Sequence, residues 1–250
     1  MMPAPPATIN MLELKTVHMR FGELHALNNI SFKVEPGELF GLAGPNGSGK
    51  TTLFNVVTGV YRGSGAIILD GKNINGLRPH QVCHRGLVRT FQTPAVFSTL
   101  TVYQNVQVGA HFGKARVKDE AEKIAETIEF VGLGGKERLL AGSLPLFERK
   151  LTMLAATLAT GPKVLLLDEP MGGLSPTEIE RSMKLFRRIH TELNMTMIVI
   201  EHLMRELVGL CQRLMIIHYG EQVVIGPPEE VVNDSRVIEV YLGRGYARSQ

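Results

Sequence analysis

Cysteine is scarce in this chain. Cys83 and Cys211 are the only two among 250 residues, too few for a disulfide framework and suited to a reducing compartment. Each has apolar neighbours in sequence and is expected to behave as a small core residue. Charge imbalance is also slight. Lys and Arg total 27 against 24 Asp and Glu, a net +3, which supplies no basic tract of the kind that grips nucleic acid. Long apolar runs are missing too. The best, Val164–Leu167 and Met197–Ile200, have strand length and fall far short of the ~18 residues of a membrane span. Met1–Pro6 has neither a basic nor an apolar leader pattern, so the expectation is a frayed tail on a soluble, cytoplasmic chain. No repeat and no low-complexity block interrupts the rest.

What is present suffices for a core. Apolar residues make up 44% and charged residues 20%, enough for one large domain or one domain with an insertion. Residues 12–17 and 30–34 alternate as strands do, with Gly22-Glu23 at a turn between them. Glu38–Ala43 reads as a buried strand, Lys50–Val57 as a helix closed by Gly59, and Ala66–Leu69 as a strand before Asp70-Gly71. From about Thr101 to Ala159 the pattern is mostly helical. Asp119–Val131 there is amphipathic, with Ala121, Ile124, Ala125 and Ile128 on one face. Strands are expected again at Val164–Leu167, Met195–Ile200, Arg213–His218 and Gln222–Ile225, and Ser175-Pro176-Thr177-Glu178 caps a helix between the first two. Alternating strands and helices imply a largely parallel sheet covered on both faces. The stretch 93–162 breaks that alternation and is read as an inserted helical subdomain.

Two motifs carry chemistry. Gly44-Pro45-Asn46-Gly47-Ser48-Gly49-Lys50-Thr51 follows a strand, opens a helix and runs on into Thr52. Its glycines let backbone N–H groups curl around phosphate oxygens at the positive end of the helix. In that setting Lys50 reaches the β- and γ-phosphates, and Thr51 offers its hydroxyl to Mg²⁺. Val164–Leu167 then ends in Asp168-Glu169, two acids at the carboxyl end of a buried strand, where open α/β sheets bind ligands. Asp168 is expected to hold Mg²⁺, and Glu169 to polarise or orient the attacking water.

Phe91-Gln92, Asp168-Glu169-Pro170, Gly173-Leu174-Ser175-Pro176 and Ile200-Glu201-His202 then stand in a telling order. Together with the phosphate loop they resemble an ABC-type ATPase, the nucleotide-binding subunit of an ABC transporter. Arg89–Gln92, Leu100-Thr101-Val102, Gly142-Ser143-Leu144, Val199-Ile200-Glu201-His202 and Val237–Gly243 are similar to the branched-chain amino-acid uptake subfamily. The resemblance implies an α/β fold, a P-loop NTPase (RecA-like) core with an antiparallel β subdomain and an inserted α-helical subdomain. It spans 11–243, with the core at 11–92 and 163–243, the insert at 93–162, and tails at 1–10 and 244–250. It implies that Phe21 stacks on adenine, that Gln92 senses Mg²⁺ and the attacking water while linking the insert to the core, and that His202 contacts the γ-phosphate. It places Ser175 in the loop where such ATPases meet across a dimer, a role compatible with capping the next helix. ATP and Mg²⁺ are the cofactors it implies. The implied partners are membrane permease subunits and, indirectly, a solute-binding protein, with no nucleic acid, at the cytoplasmic face of the membrane.

One motif departs from the family. Counted back from Asp168, Leu144-Pro145-Leu146-Phe147-Glu148 stands where Leu-Ser-Gly-Gly-Gln is expected. The serine hydroxyl and glycines of that signature bind the γ-phosphate held by the opposite subunit. Pro145 has no hydroxyl and no N–H, Leu146 and Phe147 add bulk, and Glu148 sets a negative charge near polyphosphate unless it is turned away. Ala156 also replaces an arginine common in this helix. The expectation is therefore a heterodimer with a paralogous ATPase, in which this chain supplies the working phosphate-loop half. The alternatives are a regulatory nucleotide-binding ABC protein with little hydrolysis and a non-transport ABC ATPase. Lys184, Arg187 and Arg188 are expected on a solvated helix face, Lys114–Lys118 as a charged loop, and the methionines as core filler.

Overall fold

Strands with both faces buried need an unbroken apolar run. The computed structural model describes residues 10–113 and 120–242. In chain order the elements are β1 (Leu12–Phe21), β2 (Leu24–Val34), β3 (Leu39–Ala43), α1 (Lys50–Val57), β4 (Ser64–Leu69), β5 (Lys72–Asn73), α2 (Pro79–His84) and β6 (Leu87–Arg89). There follow α3 (Val102–Phe112), α4 (Glu120–Phe130), α5 (Leu146–Ala159), β7 (Val164–Asp168), α6 (Pro176–Glu192) and β8 (Thr196–Ile200). The chain continues with α7 (Met204–Leu210), β9 (Arg213–His218), β10 (Glu221–Gly226), α8 (Pro228–Asn233) and α9 (Ser235–Leu242). Every residue of β3, β7 and β8 is buried.

These strands form the centre of a six-stranded sheet ordered β10-β9-β3-β8-β7-β6. All its pairings are parallel except β9 with β10. A second, antiparallel sheet has the order β2-β1-β4-β5. Alternate residues of each central strand serve different cores. Val164, Leu166, Ile198 and Ile200 join α1 and the inner face of the antiparallel sheet, where Phe32 stacks on Phe40 with centroids 5.2 Å apart. Leu165, Leu167, Met197 and Val199 face a second cluster with α5, α6 and α7. That cluster extends through α5 to α3 and α4. The approach of α3 to α5 depends on Gly109, where a Cβ would stand 1.9 Å from the Ala156 carbonyl oxygen.

The β1–β2 hairpin is longer than the sequence pattern indicated. Leu12 and Leu14 face inward, but so does Val17, because Thr16 adopts φ +48° and the ladder shifts register. That bulge flips the alternation, which hides the second half of the strand from a period-two reading. Cys211 is buried as expected, whereas Cys83 is only half-buried, at the mouth of a groove between α2 and α3. Lys184, Arg187 and Arg188 are exposed on α6, and Ser175 caps that helix reciprocally with Glu178. Lys114–Lys118, the first residue of the expected helix at Asp119, and Gly243 lie outside the described residues.

Candidate active site

β3 ends at Ala43, where the chain turns close against the neighbouring strand β9. Gly44 does this at φ +151°, and a Cβ there would lie 2.1 Å from the Ile217 carbonyl oxygen. Gly47 and Gly49 follow at φ +75° and +109°. Gly49 opens α1 without a side-chain cap, so the first N–H groups of that helix remain available. Lys50 is buried and donates from Nζ to the carbonyls of Gly44 at 2.7 Å and Pro45 at 2.9 Å. Burial pushes its pKa down, while the charges of Glu169 and Asp168 hold part of it up. The Ser48 hydroxyl beside it is buried and has no partner among the described residues.

Asp168 closes β7 under the phosphate loop and pairs with Arg89 at the end of β6, both side chains buried. Arg89 also donates to Asn55 of α1 at 2.5 Å and lies over the Phe54 and Phe91 rings. Asp168 Oδ1 is left buried and unpartnered among the described residues, an acceptor that a hard cation would satisfy.

Glu169 comes next, in the left-handed region at φ +46°, a conformation that costs a non-glycine residue about 1–3 kcal/mol and tends to occur at functional sites. Its N–H donates to Ile200 at 2.9 Å. Its carboxylate lies between two groups: Gln92 Nε2 donates to Oε2 at 2.5 Å, and His202 Nε2 lies 2.6 Å from Oε1. Three residues from separate segments thus meet at one carboxylate.

A cleft of 380 Å³ runs along the loop, lined by Phe21, His25, residues 46–52, Glu169, His202 and Tyr219. Phe21 is 43% exposed and meets Tyr61 edge-on. Gly44, Pro45, Asp168 and Gln92 are not among the residues that line the cleft, and Gln92 is joined to it by its bond to Glu169. Sequence reasoning missed Tyr219 and Lys150, and took Arg89 and Glu201 only as part of a family likeness. Tyr219 is 80% exposed at φ +47° in the β9–β10 turn. Its signal was a Tyr-Gly pair where a hairpin turn usually has only small residues.

The segment before α5 is built differently. Pro145 is the N-cap and has no side-chain bond. Phe147 is buried under the Arg181 guanidinium, 4.9 Å from its ring centroid. Glu148 is turned to Lys136, with which it forms an ion pair.

A strand, a glycine loop over a buried lysine, and paired acids at the next strand's end bind polyphosphate in many folds. The decisive finding is a match of residues 27–172 to the ABC transporter family model. The chain belongs to the ABC transporter family. It has the family's P-loop NTPase fold, and it is a nucleotide-binding transport ATPase. Residues 225–247 match a second model, described as the branched-chain amino acid ATP-binding cassette transporter. Among similar proteins is the high-affinity branched-chain amino acid transport ATP-binding protein BraF of Pseudomonas aeruginosa. It is 34% identical over 93% of this chain and 98% of the relative. LivG of Escherichia coli, of the same description, is 33% identical over the same shares. The lipopolysaccharide export system ATP-binding protein LptB of Haemophilus influenzae is 31% identical over 95% of this chain and 99% of its own. An ABC transporter cassette solved in its ADP conformation superposes with a TM-score of 0.85 at 29% identity, covering 95% of this ABC ATPase and 100% of that chain. No helix among the described residues is long and apolar enough to cross a membrane.

Proposed function

We propose that this ABC ATPase hydrolyses ATP to drive a membrane importer of branched-chain amino acids or related small solutes. The observation that carries the reading is the Glu169 carboxylate, held between Gln92 and His202 beside the Lys50 loop. Phe21 stacks on the adenine. Residues 44–52 cradle the phosphates, through their N–H groups at every position but Pro45, which has none, and the Lys50 ammonium binds them as well, exchanging its bonds to Gly44 and Pro45 for phosphate oxygens. Glu169 orients the attacking water and draws its proton, and His202 and Gln92 fix the carboxylate for that task. Thr51, Asp168 and Gln92 would hold Mg²⁺, to which the unpartnered Asp168 Oδ1 is well suited. When bound, Mg²⁺ neutralises charge on the β- and γ-phosphates.

The branched-chain solute class is supported by the names of BraF and LivG and by the match at residues 225–247, separate from the 27–172 match to the general family. LptB, named for export, argues for the general cassette alone. The chain then acts as a peripheral subunit on the cytoplasmic face, against permease subunits that receive solute from a binding protein.

Leu144–Glu148 stands where the family signature would reach across a dimer. Its altered residues, with Phe147 buried and Glu148 paired to Lys136, favour a paralogous ATPase as partner. That partner contributes an intact signature to the site built here. Uptake of a labelled branched-chain amino acid tests the transport reading. Cells lacking this chain should recover uptake with the parent and not with Lys50→Ala. Equal recovery with both, or no recovery with the parent, overturns it.

A further inference from the structure

α5 reaches the Glu169 segment through one buried charge. Lys150 lies four residues into the chain beyond Leu146 and is 7% exposed. Its Nζ donates to the carbonyl of Glu169 at 3.1 Å and that of Pro170 at 3.0 Å. Glu201, immediately after β8 and 1% exposed, accepts the Met171 N–H at 2.7 Å. The Glu169 N–H is held by Ile200. Three consecutive residues after Asp168 are therefore pinned through their main chain, two of them by a lysine that belongs to another element.

A main chain in the left-handed region persists only where its surroundings over-determine it. Here the carboxylate is fixed from the cleft side by Gln92 and His202, and the peptide behind it from the α5 side by Lys150. An ammonium is a costly means of holding two carbonyls if packing were the only need, because burial disfavours its charge. Burial indeed pushes the Lys150 pKa down, against the pull of the Glu201 and Glu169 carboxylates.

We propose that Lys150 is a positioning residue for Glu169, tying the first turns of α5 to the carboxylate so that a displacement of that helix is felt at the hydrolytic site. The inference rests on the reading of Glu169 as the residue that activates water. It goes beyond that reading by naming what places Glu169 and from where. A partner docked against the start of α5 would act on hydrolysis through this lysine, with no phosphate contact from Pro145–Glu148 of this chain.

The test uses the transporter purified through a tag on this chain, so that its own partner subunits accompany it. The parent, Lys150→Met, Lys150→Arg and Glu169→Gln are compared for kcat and for KM with ATP. Amide hydrogen exchange over residues 167–174 is followed alongside. A misplaced reacting group slows chemistry without weakening ground-state binding, so Lys150→Met should lower kcat about tenfold and leave KM within about twofold. Lys150→Arg, which keeps the cation, should recover most of the loss. Exchange should quicken at Glu169–Met171 and stay slow in β7. The inference is overturned if Lys150→Met keeps parental kcat. It is also overturned if Arg fails to rescue, or if exchange rises evenly through the chain, as a packing role would give. Where Lys150→Met does not fold, Lys150→Gln, which keeps a donor, carries the same comparison. Glu169→Gln separates the two claims. Parental turnover there sinks the reading of Glu169 itself, whereas its loss beside a normal Lys150→Met sinks only this inference.

Discussion

α1 and α5 both begin without a side-chain cap, yet their first turns serve opposite purposes. Ahead of α1 the chain places Gly44, Gly47 and Gly49 at positive φ, so nothing stands between the helix N–H groups and the cleft. Ahead of α5 stands Pro145, and the first turn sends Phe147 into the core and Glu148 to Lys136. Both ends carry the positive pole of a helix. Only the first leaves its backbone bare enough for phosphate to approach. A helix N-terminus is thus a potential anion site, and side chains decide whether it becomes one.

The largest effect should come from the phosphate-loop half. Glu169→Gln is expected to lower ATP turnover of the assembled transporter by about 10²–10⁴-fold while nucleotide affinity persists, measured by phosphate release and equilibrium binding. Turnover close to the parent would separate this carboxylate from the chemistry. At α5, Phe147→Ala should cost about 3–5 kcal/mol in denaturant unfolding, as loss of a buried ring does. A change under about 0.5 kcal/mol, the size typical of exposed positions, would mean that Phe147 faces out and that the contrast between the two helix starts is false.

A smaller effect should come from pH. Burial raises the Glu201 carboxyl to about 7, partly opposed by the Met171 N–H and the Lys150 charge. The folded state therefore holds this proton where the unfolded chain has released it. The stability it contributes is complete below about pH 4.5 and is lost as pH rises through about 7. Glu201→Gln should flatten that part of the stability profile by on the order of 3 kcal/mol. An unchanged slope between those pH values would show that Glu201 is ionised in the fold. The smallest effect belongs to Lys136→Met. The Lys136–Glu148 pair is part-exposed, so thermal unfolding should register under about 1 kcal/mol. A larger loss would make that pair a structural requirement of the α5 start.

Local features were legible where spacing and chemistry coincide. The phosphate loop, the buried strand ending in Asp168 and the Ser175 cap each lie within a few residues, and all three stand where the pattern indicated. Legibility failed where the third dimension supplies the partner. Gln92 and Glu169 are 77 residues apart, Lys150 and Glu169 19, and no periodicity connects them. β6 is three residues long, below the length at which alternation can be recognised. The bulge at Thr16 shows the same limit within a single strand, since one left-handed residue brings Val17 to the face that Leu12 and Leu14 already occupy. The charge of Glu148 was visible in the sequence, but its direction depended on Lys136, twelve residues away.

ATP turnover by the purified chain alone, beside its Glu169→Gln variant and a nucleotide-binding assay, tests the contrast between the two helix starts most directly. Firm ATP binding with negligible turnover is the result that the proposed pairing predicts, because under that proposal two copies of this chain bring together two phosphate loops and no start of α5 able to complete them. Adding a paralogous ATPase with an intact signature should then restore Glu169-dependent hydrolysis. Glu169-dependent turnover by the chain alone at ordinary transporter rates would contradict the account, since Pro145–Glu148 would then complete the site themselves.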